Sequence, residues 1–410
     1  MATTRRATAA DELSCAGPME CCVKGFAAQL SGQGYAPGTI HTKCDLLADL
    51  NRWLEGHQLA VAALDEGRLR QFQASRRRRG KMRRGDPATA QQLLQYLREH
   101  GHVALAARAI DVRPGALVLH DFEGFVRSER GLSSSTVVAY RTVVRRFLHE
   151  RFGRKALRLE QLRAADLQRF VVGEIHRVSR THGKIVITAL RSFMRFLLLR
   201  GAIQTDLART LPAVATWRLS HLPRSLLPKE VEQLLAACNR GSSSGKRDYA
   251  ILLLLARLGL RGGEVLHMDL EDLDWQLGEL VVRGKGPRLE RLPLPADVGA
   301  AVARYLCEVR PTCATRRVFV RLIAPYQDLQ QSAVSCIVRR ALARAGLNPE
   351  CKGAHLLRHS LATDLLRRGA SLGEIGQLLR HQQPTTTQIY AKVDIEALRG
   401  IALPWPGSTS

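Results

Sequence analysis

Five short segments in the C-terminal part of the chain carry side chains suited to chemistry on a phosphate ester. They are residues 258–264, 283–286, 355–359, 378–381 and 386–390. The side chains that could act are two arginines, a lysine, two histidines and a tyrosine: Arg261, Lys285, His355, Arg358, His381 and Tyr390. Together they offer cations to hold a phosphate, groups that move protons, and one phenol nucleophile.

Two of the arginines can stabilise the transition state of such a reaction. Attack on a phosphodiester builds negative charge on its non-bridging oxygens, and the planar guanidiniums of Arg261 and Arg358 can each bind two of these oxygens. His355 precedes Arg358 by three residues, so both project from one face of a helix. His381 can donate a further hydrogen bond to the phosphate.

The nucleophile and the leaving group both need help with protons. The phenol of Tyr390 is mostly protonated at neutral pH, and His355 or a neighbour can assist its deprotonation. Lys285 lies on a turn between two glycines and can protonate the departing 5′ oxygen. Because a phosphotyrosine ester keeps roughly the energy of the bond that it replaces, we expect neither a metal nor ATP to be required.

The order and spacing of these motifs resemble the C-terminal domain of the tyrosine recombinase (phage integrase) family of site-specific recombinases and transposases. That family has an Arg in a G-L-R-x-x-E turn, a Lys in a β-hairpin, H-x-L-R-H, L-G-H, and a Tyr nine residues after the last His, as Tyr390 follows His381. The resemblance implies DNA cleavage and rejoining through a 3′-phosphotyrosine, with four protomers on two DNA sites. The resemblance is also compatible with the participation of companion recombinases.

The chain departs from the family pattern at Arg380, where the family usually has Gly. A Gly there can permit a backbone conformation that Arg disfavours. Each motif also has a structural alternative: Arg261 as a cap at a helix end, Lys285 as a solvated hairpin tip, His355 as a core histidine, and Tyr390 as an interface aromatic.

The elements that position these residues can be read from the pattern around them. Pro228 is suited to the first turn of a helix, and residues 249–258 form an apolar helix. Residues 279–283 and 289–294 are strand-like and flank a Gly-rich turn. The C-terminal segment is therefore predicted to be a mixed α+β domain, with helices predominating.

An internal duplication precedes that domain. Residues 34–40 match 131–137, and residues 64–72 match 162–170. Four later matches follow in the same order: Leu93 with Phe193, Tyr96 with Phe196, Leu97 with Leu197, and Gly101 with Gly201. Each copy begins with a turn and a Thr or Ser placed to cap a helix, so we predict two bundles of about four helices.

A basic stretch lies between the third and fourth predicted helices of each copy. Isolated charge runs are usually solvated surface, but this one recurs in both copies, which favours contacts with phosphates. The predicted DNA-binding residues are Arg76, Arg77, Arg78, Arg79, Lys81, Arg83, Arg84, Arg177, Arg180 and Lys184.

The composition agrees with a polyanionic partner. The formal net charge is +25, from 62 Lys and Arg against 37 Asp and Glu, and it is spread along the chain. Nine cysteines without a metal-binding or redox spacing favour reduced thiols in a cytosol. No apolar run is long enough for a membrane span and no signal peptide is visible, so we expect a cytoplasmic, nucleoid-associated protein.

We therefore predict a mainly α fold with a small antiparallel β-sheet. The predicted divisions are a flexible N-terminus (1–22), a degenerate helical bundle (23–110), a core-binding helical domain (115–212), a linker (213–223) and a catalytic domain (224–410). The predicted function is a recombinase or integrase acting on double-stranded DNA, for a mobile element. The alternatives are a type IB topoisomerase or resolvase, or a non-catalytic DNA-binding factor.

Overall fold

The protein is mainly α-helical with one small antiparallel sheet, which confirms the predicted fold class. The computed structural model describes residues 19–104, 114–153, 156–175, 177, 180–212, 224–284, 289–381 and 383–393. Of these, the residues up to Val103 and those from Arg224 onward form one compact unit, and residues 104–212 form the other.

The first helical bundle, residues 19–103, has four helices around its own hydrophobic core. They are α1 (Glu20–Gly32), α2 (Pro37–Gly56), α3 (Glu66–Arg78) and α4 (Asp86–Glu99). The bundle contacts a later loop of the same compact unit, where the Tyr326 amide donates to the Gln33 carbonyl at 3.0 Å. Gly34 has φ +84° there, and a Cβ would lie 2.0 Å from the Tyr326 ring, so only glycine fits this contact.

The second helical bundle, residues 114–212, also has four helices and a separate core. They are α5 (Pro114–Gly124), α6 (Ser134–Phe152), α7 (Ala164–Ile175) and α8 (Arg180–Leu199). A π-helical turn, Phe125–Glu129, continues α5. Phe122 and Phe193 meet edge to face in the core, with ring centroids 5.2 Å apart.

The two bundles share contacts as well as helix order. At the offset of 97 that aligns α2 with α6, Asp49 corresponds to Arg146; at the offset of 98 that aligns α3 with α7, Arg76 corresponds to Glu174. Asp49 pairs with Arg76 in the first bundle, and Arg146 pairs with Glu174 in the second. The same ion pair therefore joins the second and third helices of each bundle, with its charges reversed.

The predicted helix cap is present in one copy only. The Ser133 side chain accepts a hydrogen bond from the Thr136 amide and begins α6. In the first copy the prediction was wrong, because the helix begins at Pro37 after Ala36 and has no side-chain cap. Proline suits this position because its ring fixes φ and the missing amide would have no partner in the first turn.

The C-terminal segment combines helices with the sheet. Its helices are α9 (Pro228–Ala236), α10 (Ser243–Arg257), α11 (Gly262–Leu266), α12 (Ala296–Glu308), α13 (Ala333–Arg344), α14 (Ala354–Arg367), α15 (Leu372–Leu378) and α16 (Pro384–Thr387), followed by a 3-10 turn, Gln388–Val393. Its strands are β1 (Leu273–Asp274), β2 (Glu279–Arg283) and β3 (Leu289–Pro293). The sequence did not predict β1, which has only two residues.

The buried helix α10 organises this segment. It packs against α12 and α14, and its residues 250–256 are all buried. The strands β2 and β3 pair in antiparallel register from Glu279–Pro293 to Arg283–Leu289. In the described part of the chain, no helix combines the length and the apolar character needed to cross a membrane.

Candidate active site

Arg261 lies at the turn that leads into α11, and Glu264 holds it there. The Glu264 carboxylate accepts the Arg261 backbone amide at 2.8 Å and its Nη1 at 2.7 Å. Burial works against ionisation of Glu264, but the hydrogen bonds from Arg261 and the charge of Arg380 outweigh it and lower the pKa of the carboxyl. The helix-cap contact foreseen as an alternative is thus present, yet the Arg261 side chain remains 37% exposed and can meet a ligand.

Arg358 is buried in α14 and is held by two backbone carbonyls. Its Nη1 donates to the Gly259 carbonyl at 2.5 Å, and its Nη2 donates to the Leu379 carbonyl. Burial and the nearby charge of Arg261 lower the pKa of Arg358 to about 10, so it stays charged at neutral pH. Gly259 has φ +58°, and a Cβ there would lie 2.8 Å from the Leu379 side chain, which requires glycine at this turn.

The Tyr390 hydroxyl lies 2.7 Å from Nδ1 of His359. The tyrosine is 1% exposed, and burial raises its pKa to about 12 although the charge of Arg358 opposes this. Burial, together with the charges of His355 and Arg358, lowers the pKa of His359 to about 4. We therefore assign a neutral imidazole, protonated at Nε2, that accepts the phenol hydrogen at Nδ1.

His355 lies one turn before His359 on α14, and the two rings meet edge to face with centroids 6.4 Å apart. Burial and the charges of Arg358 and Arg261 lower the pKa of His355. Its position beside the two arginines agrees with contact to a phosphate more than with the alternative of a purely structural core histidine.

His381 is stacked on the nucleophile. Its ring is parallel to that of Tyr390, with centroids 6.4 Å apart and an interplanar angle of 3°. The Nδ1 atom is 2.8 Å from Oγ1 of Thr387, which leaves Nε2 to face a ligand. Burial, followed by the charges of Arg358 and Arg261, lowers the pKa of His381 to about 4.

Arg380 adopts the left-handed conformation that the family glycine would permit, with φ 54°. Its side chain is only 5% exposed and pairs with Glu264 at 2.8 Å. Its Nε lies 3.6 Å from the carboxylate of Glu290. The substitution therefore preserves the backbone turn and adds a guanidinium beside the site.

Lys285 lies outside the described residues. The strands on either side of it are described, and Arg283 pairs with Leu289 as the last rung before the connection. Arg261, His355, Arg358, His381 and Tyr390 are brought together around one region where α14 meets the turns at 259–261 and 379–381. Their catalytic roles, with that of Lys285, remain predictions.

The predicted DNA-binding residues do not share one environment. Those that are exposed are Arg77, Arg78, Arg79, Lys81, Arg83, Arg84, Arg177 and Lys184. The Arg180 side chain lies outside the described residues. Arg76 is a correction to the prediction: it is 8% exposed and pairs with Asp49 and Asp86, so its guanidinium holds the first bundle together.

Two contributors to the site had not been assigned a role from the sequence. His359 was visible in the H-x-L-R-H motif, and its spacing of four from His355 places both on one helix face, but no role was assigned to it. Thr387, which contacts His381, carried no signal in its type or spacing. Its role follows only from the fold.

A mainly helical chain with two arginines, three histidines and a buried tyrosine around one turn has the construction of a phosphoryl-transfer enzyme. Two family models match it: "Phage integrase family" over residues 224–396 and "Phage integrase, N-terminal SAM-like domain" over residues 119–201. The chain belongs to the phage integrase family of tyrosine recombinases, enzymes that break and rejoin DNA. The predicted family is thereby confirmed.

Curated relatives agree with this assignment. The Sinorhizobium fredii protein y4rA, whose name places it among integrases and recombinases, is 43% identical over 95% of this chain and 95% of its own. The tyrosine recombinase XerD of Mycobacterium tuberculosis is 30% identical over 72% of this chain and 97% of its own. More than a quarter of the chain thus has no counterpart in that XerD, and neither family model reaches the residues before 119.

Solved structures show the same fold. A XerH recombinase bound to a palindromic difH substrate, in a post-cleavage complex, aligns over 76% of this chain and 94% of its own at 20% identity, with a TM-score of 0.55. A lambda integrase tetramer bound to a Holliday junction aligns over 76% of this chain and 87% of its own at 21% identity, with a TM-score of 0.52. At this level of identity the likeness concerns the fold alone.

Proposed function

We propose that this protein is a site-specific recombinase that cuts and rejoins DNA strands through a 3′-phosphotyrosine at Tyr390, without metal or ATP. The observation that carries the proposal is the hydrogen bond from the Tyr390 hydroxyl to His359, next to two arginines that can bind a phosphate. Few structural roles would require a buried phenol, a neutral imidazole and paired guanidiniums in one place.

The chemistry follows from the positions of the donors. Tyr390 Oη attacks phosphorus while His359 takes up the phenol proton, and the bond to the 5′ oxygen breaks. Within the described part of the chain, Arg358 uses two of its five donors on carbonyls, so the others can bind the phosphate. Arg261, His355 and Nε2 of His381 add donors, which stabilise the charge that develops. Lys285 gives its proton to the 5′ oxygen.

The remainder of the chain would hold the DNA. We propose domains at 23–110, 115–212 and 224–410, with the exposed cations of both bundles on phosphates. We further propose a tetramer that pairs two sites; the lambda integrase tetramer bound to a Holliday junction, which has the same fold, supports it. We place the protein in the cytoplasm, acting for a mobile element.

The decisive test is Tyr390→Phe on a duplex nicked near the cleavage site, which traps the covalent intermediate. We expect the full-length variant to bind DNA like the wild type but to yield no protein–DNA adduct that survives denaturation. The wild type should form that adduct in chelator without ATP, because arginines replace a metal in stabilising charge. An adduct with the Phe variant, or loss of cleavage in chelator that magnesium restores, contradicts the proposal.

Topoisomerase and resolvase activities use the same chemistry, so the products must separate them. Recombination predicts joint products from two sites and Holliday junctions, whereas relaxation of a single supercoiled circle without exchange indicates a topoisomerase. A non-catalytic factor would bind DNA and form no adduct at all.

A further inference from the structure

We propose that Thr387 is a positioning residue that donates its hydroxyl hydrogen to Nδ1 of His381 and thereby keeps the imidazole hydrogen on Nε2. This inference rests on the proposed function, in which Nε2 of His381 donates to the phosphate. Thr387 acts through His381 and not on the reacting atoms. It lies three residues before Tyr390, so the segment that carries the nucleophile also orients a group that binds the phosphate.

The direction of this hydrogen bond follows from the surroundings of the threonine. Oγ1 of Thr387 lies 2.8 Å from Nδ1 of His381, and the threonine is 3% exposed. Among the described residues, the hydroxyl has no second hydrogen-bond partner. If Thr387 accepted a hydrogen from Nδ1, its own hydrogen would be buried without an acceptor, which is unfavourable. The hydroxyl is therefore the donor and Nδ1 is the acceptor.

The protonation state of His381 makes this direction important. Burial, followed by the charges of Arg358 and Arg261, lowers its pKa to about 4, so the imidazole is neutral at neutral pH. A neutral imidazole carries a single N–H, and the partner of one nitrogen decides whether the other can donate. With Nδ1 accepting from Thr387, the hydrogen lies on Nε2. In the opposite tautomer, Nε2 would present a lone pair to the phosphate oxygens and could not donate to them.

The positions of the hydroxyl and of the imidazole are closely defined. A Cβ at Gly376 would lie 3.0 Å from Oγ1 of Thr387, so glycine leaves the space beside the hydroxyl open. The Gly376 carbonyl also accepts the backbone amide of His381 at 2.9 Å. The His381 ring is parallel to that of Tyr390. The imidazole is therefore oriented by its backbone, by the neighbouring ring and by Thr387.

A competing explanation is that Thr387 only fills space in the buried region beside Tyr390. Two variants separate the explanations. Thr387→Val keeps nearly the same volume and removes the hydroxyl, whereas Thr387→Ser keeps the hydroxyl and removes a methyl group. His381→Phe serves as the reference, because it keeps a ring beside Tyr390 and has no donor at all.

The first experiment measures single-turnover adduct formation by the full-length protein on the nicked duplex. We expect Thr387→Val to cleave about 2- to 10-fold more slowly than the wild type, which is the range that one hydrogen bond supports, and Thr387→Ser to stay within about twofold of it. His381→Phe should be slower by roughly 100- to 1,000-fold, as when one donor to the developing charge is removed. Adding Thr387→Val to His381→Phe should cause no further loss, because Thr387 acts only through His381.

The second experiment identifies the tautomer without relying on activity. Nitrogen NMR of the protein labelled at its histidines, compared with the spectrum of His381→Phe, distinguishes the two nitrogens of His381. We expect Nδ1 without a hydrogen and Nε2 with one, in the wild type and in Thr387→Ser. In Thr387→Val the Nδ1 resonance should shift, because that nitrogen loses its hydrogen-bond donor.

A hydrogen on Nδ1 of His381 in the wild type overturns the inference, as does a Thr387→Val variant that cleaves as fast as the wild type. Equal defects in Thr387→Val and Thr387→Ser would indicate packing, and a further loss in the double variant would show an effect that bypasses His381; either result also overturns it. Failure of the proposed function looks different, because the wild type would then form no adduct, or Tyr390→Phe would still form one, while the NMR spectrum would still report the tautomer.

Discussion

Replacing His359 with Asn tests whether this histidine receives the proton of Tyr390. Nδ1 of His359 lies 2.7 Å from the phenol oxygen, within the reach that a general base needs. An Asn side chain can accept a hydrogen bond but cannot take up a proton at neutral pH. Since a positioned base contributes about 100- to 10,000-fold, we expect His359→Asn to slow cleavage at neutral pH by a factor in that range.

The pKa values of the pair indicate when the proton moves. They are about 12 for Tyr390 and about 4 for His359, so full transfer before attack would cost on the order of 11 kcal/mol. The phenol therefore stays protonated until bond formation to phosphorus makes it more acidic. Without the base, cleavage depends on phenolate formed in solution equilibrium, and the rate of the variant should rise about tenfold per pH unit below the tyrosine pKa.

Single-turnover adduct formation, followed from neutral to alkaline pH, measures both the reduction in rate and the slope. His355→Asn is the matched control, since it changes the same residue type one turn earlier on α14. It should lower the rate by weakening the phosphate contact, without the steep pH dependence. A His359→Asn variant that cleaves like the wild type, with the steep slope in His355→Asn instead, would identify His355 as the base and refute this reasoning.

Two further predictions concern the first bundle. Replacing Arg77, Arg78 and Arg79 with Ala should lower the slope of log binding constant against log salt, measured by DNA titrations at several salt concentrations, by about 0.9 for each phosphate that the variant no longer binds. Arg76→Ala, at a buried position in the same run, should leave that slope unchanged. It should instead destabilise the protein by about 3–5 kcal/mol in urea unfolding. The charge-reversed double variant Asp49→Arg with Arg76→Glu should be more stable than Arg76→Glu alone, because the second change restores an opposite charge across the two helices, as in the second bundle. If the effects of the two changes simply add in urea unfolding, the equivalence of the two pairs is wrong.

Much of the site was predictable because its chemistry depends on residue types at fixed spacings. The motifs identify Arg261, His355, Arg358, His381 and Tyr390, and the structure brings them together. The partner of the phenol was not predictable, because two histidines on one face of α14 both satisfy the spacing. Only packing decides that His359 makes the contact.

The errors have physical reasons of the same kind. A run of arginines indicates a solvated surface, yet Arg76 follows Leu69 and Phe72 at the spacing of one helix face and therefore points into the first bundle. Arg380 was expected to disturb a turn because propensity disfavours it there. The fold supplies Glu264 and Glu290 from elements distant in sequence, and such tertiary partners cannot be read from local preference.

The reversed ion pair makes the duplication harder to see in the sequence. Aligning Asp49 with Arg146 and Arg76 with Glu174 places opposite charges together, which a comparison of residue types counts as two mismatches. At these partly buried positions, however, stability requires opposite charges on the second and third helices, and it does not depend on which helix carries the positive charge. Exchange of both residues preserves the contact, whereas exchange of one leaves a poorly solvated charge without its partner. At this pair the two bundles are therefore alike in their contact and not in their residues, and in each bundle one partner lies on the helix that leads into the basic run proposed to hold DNA.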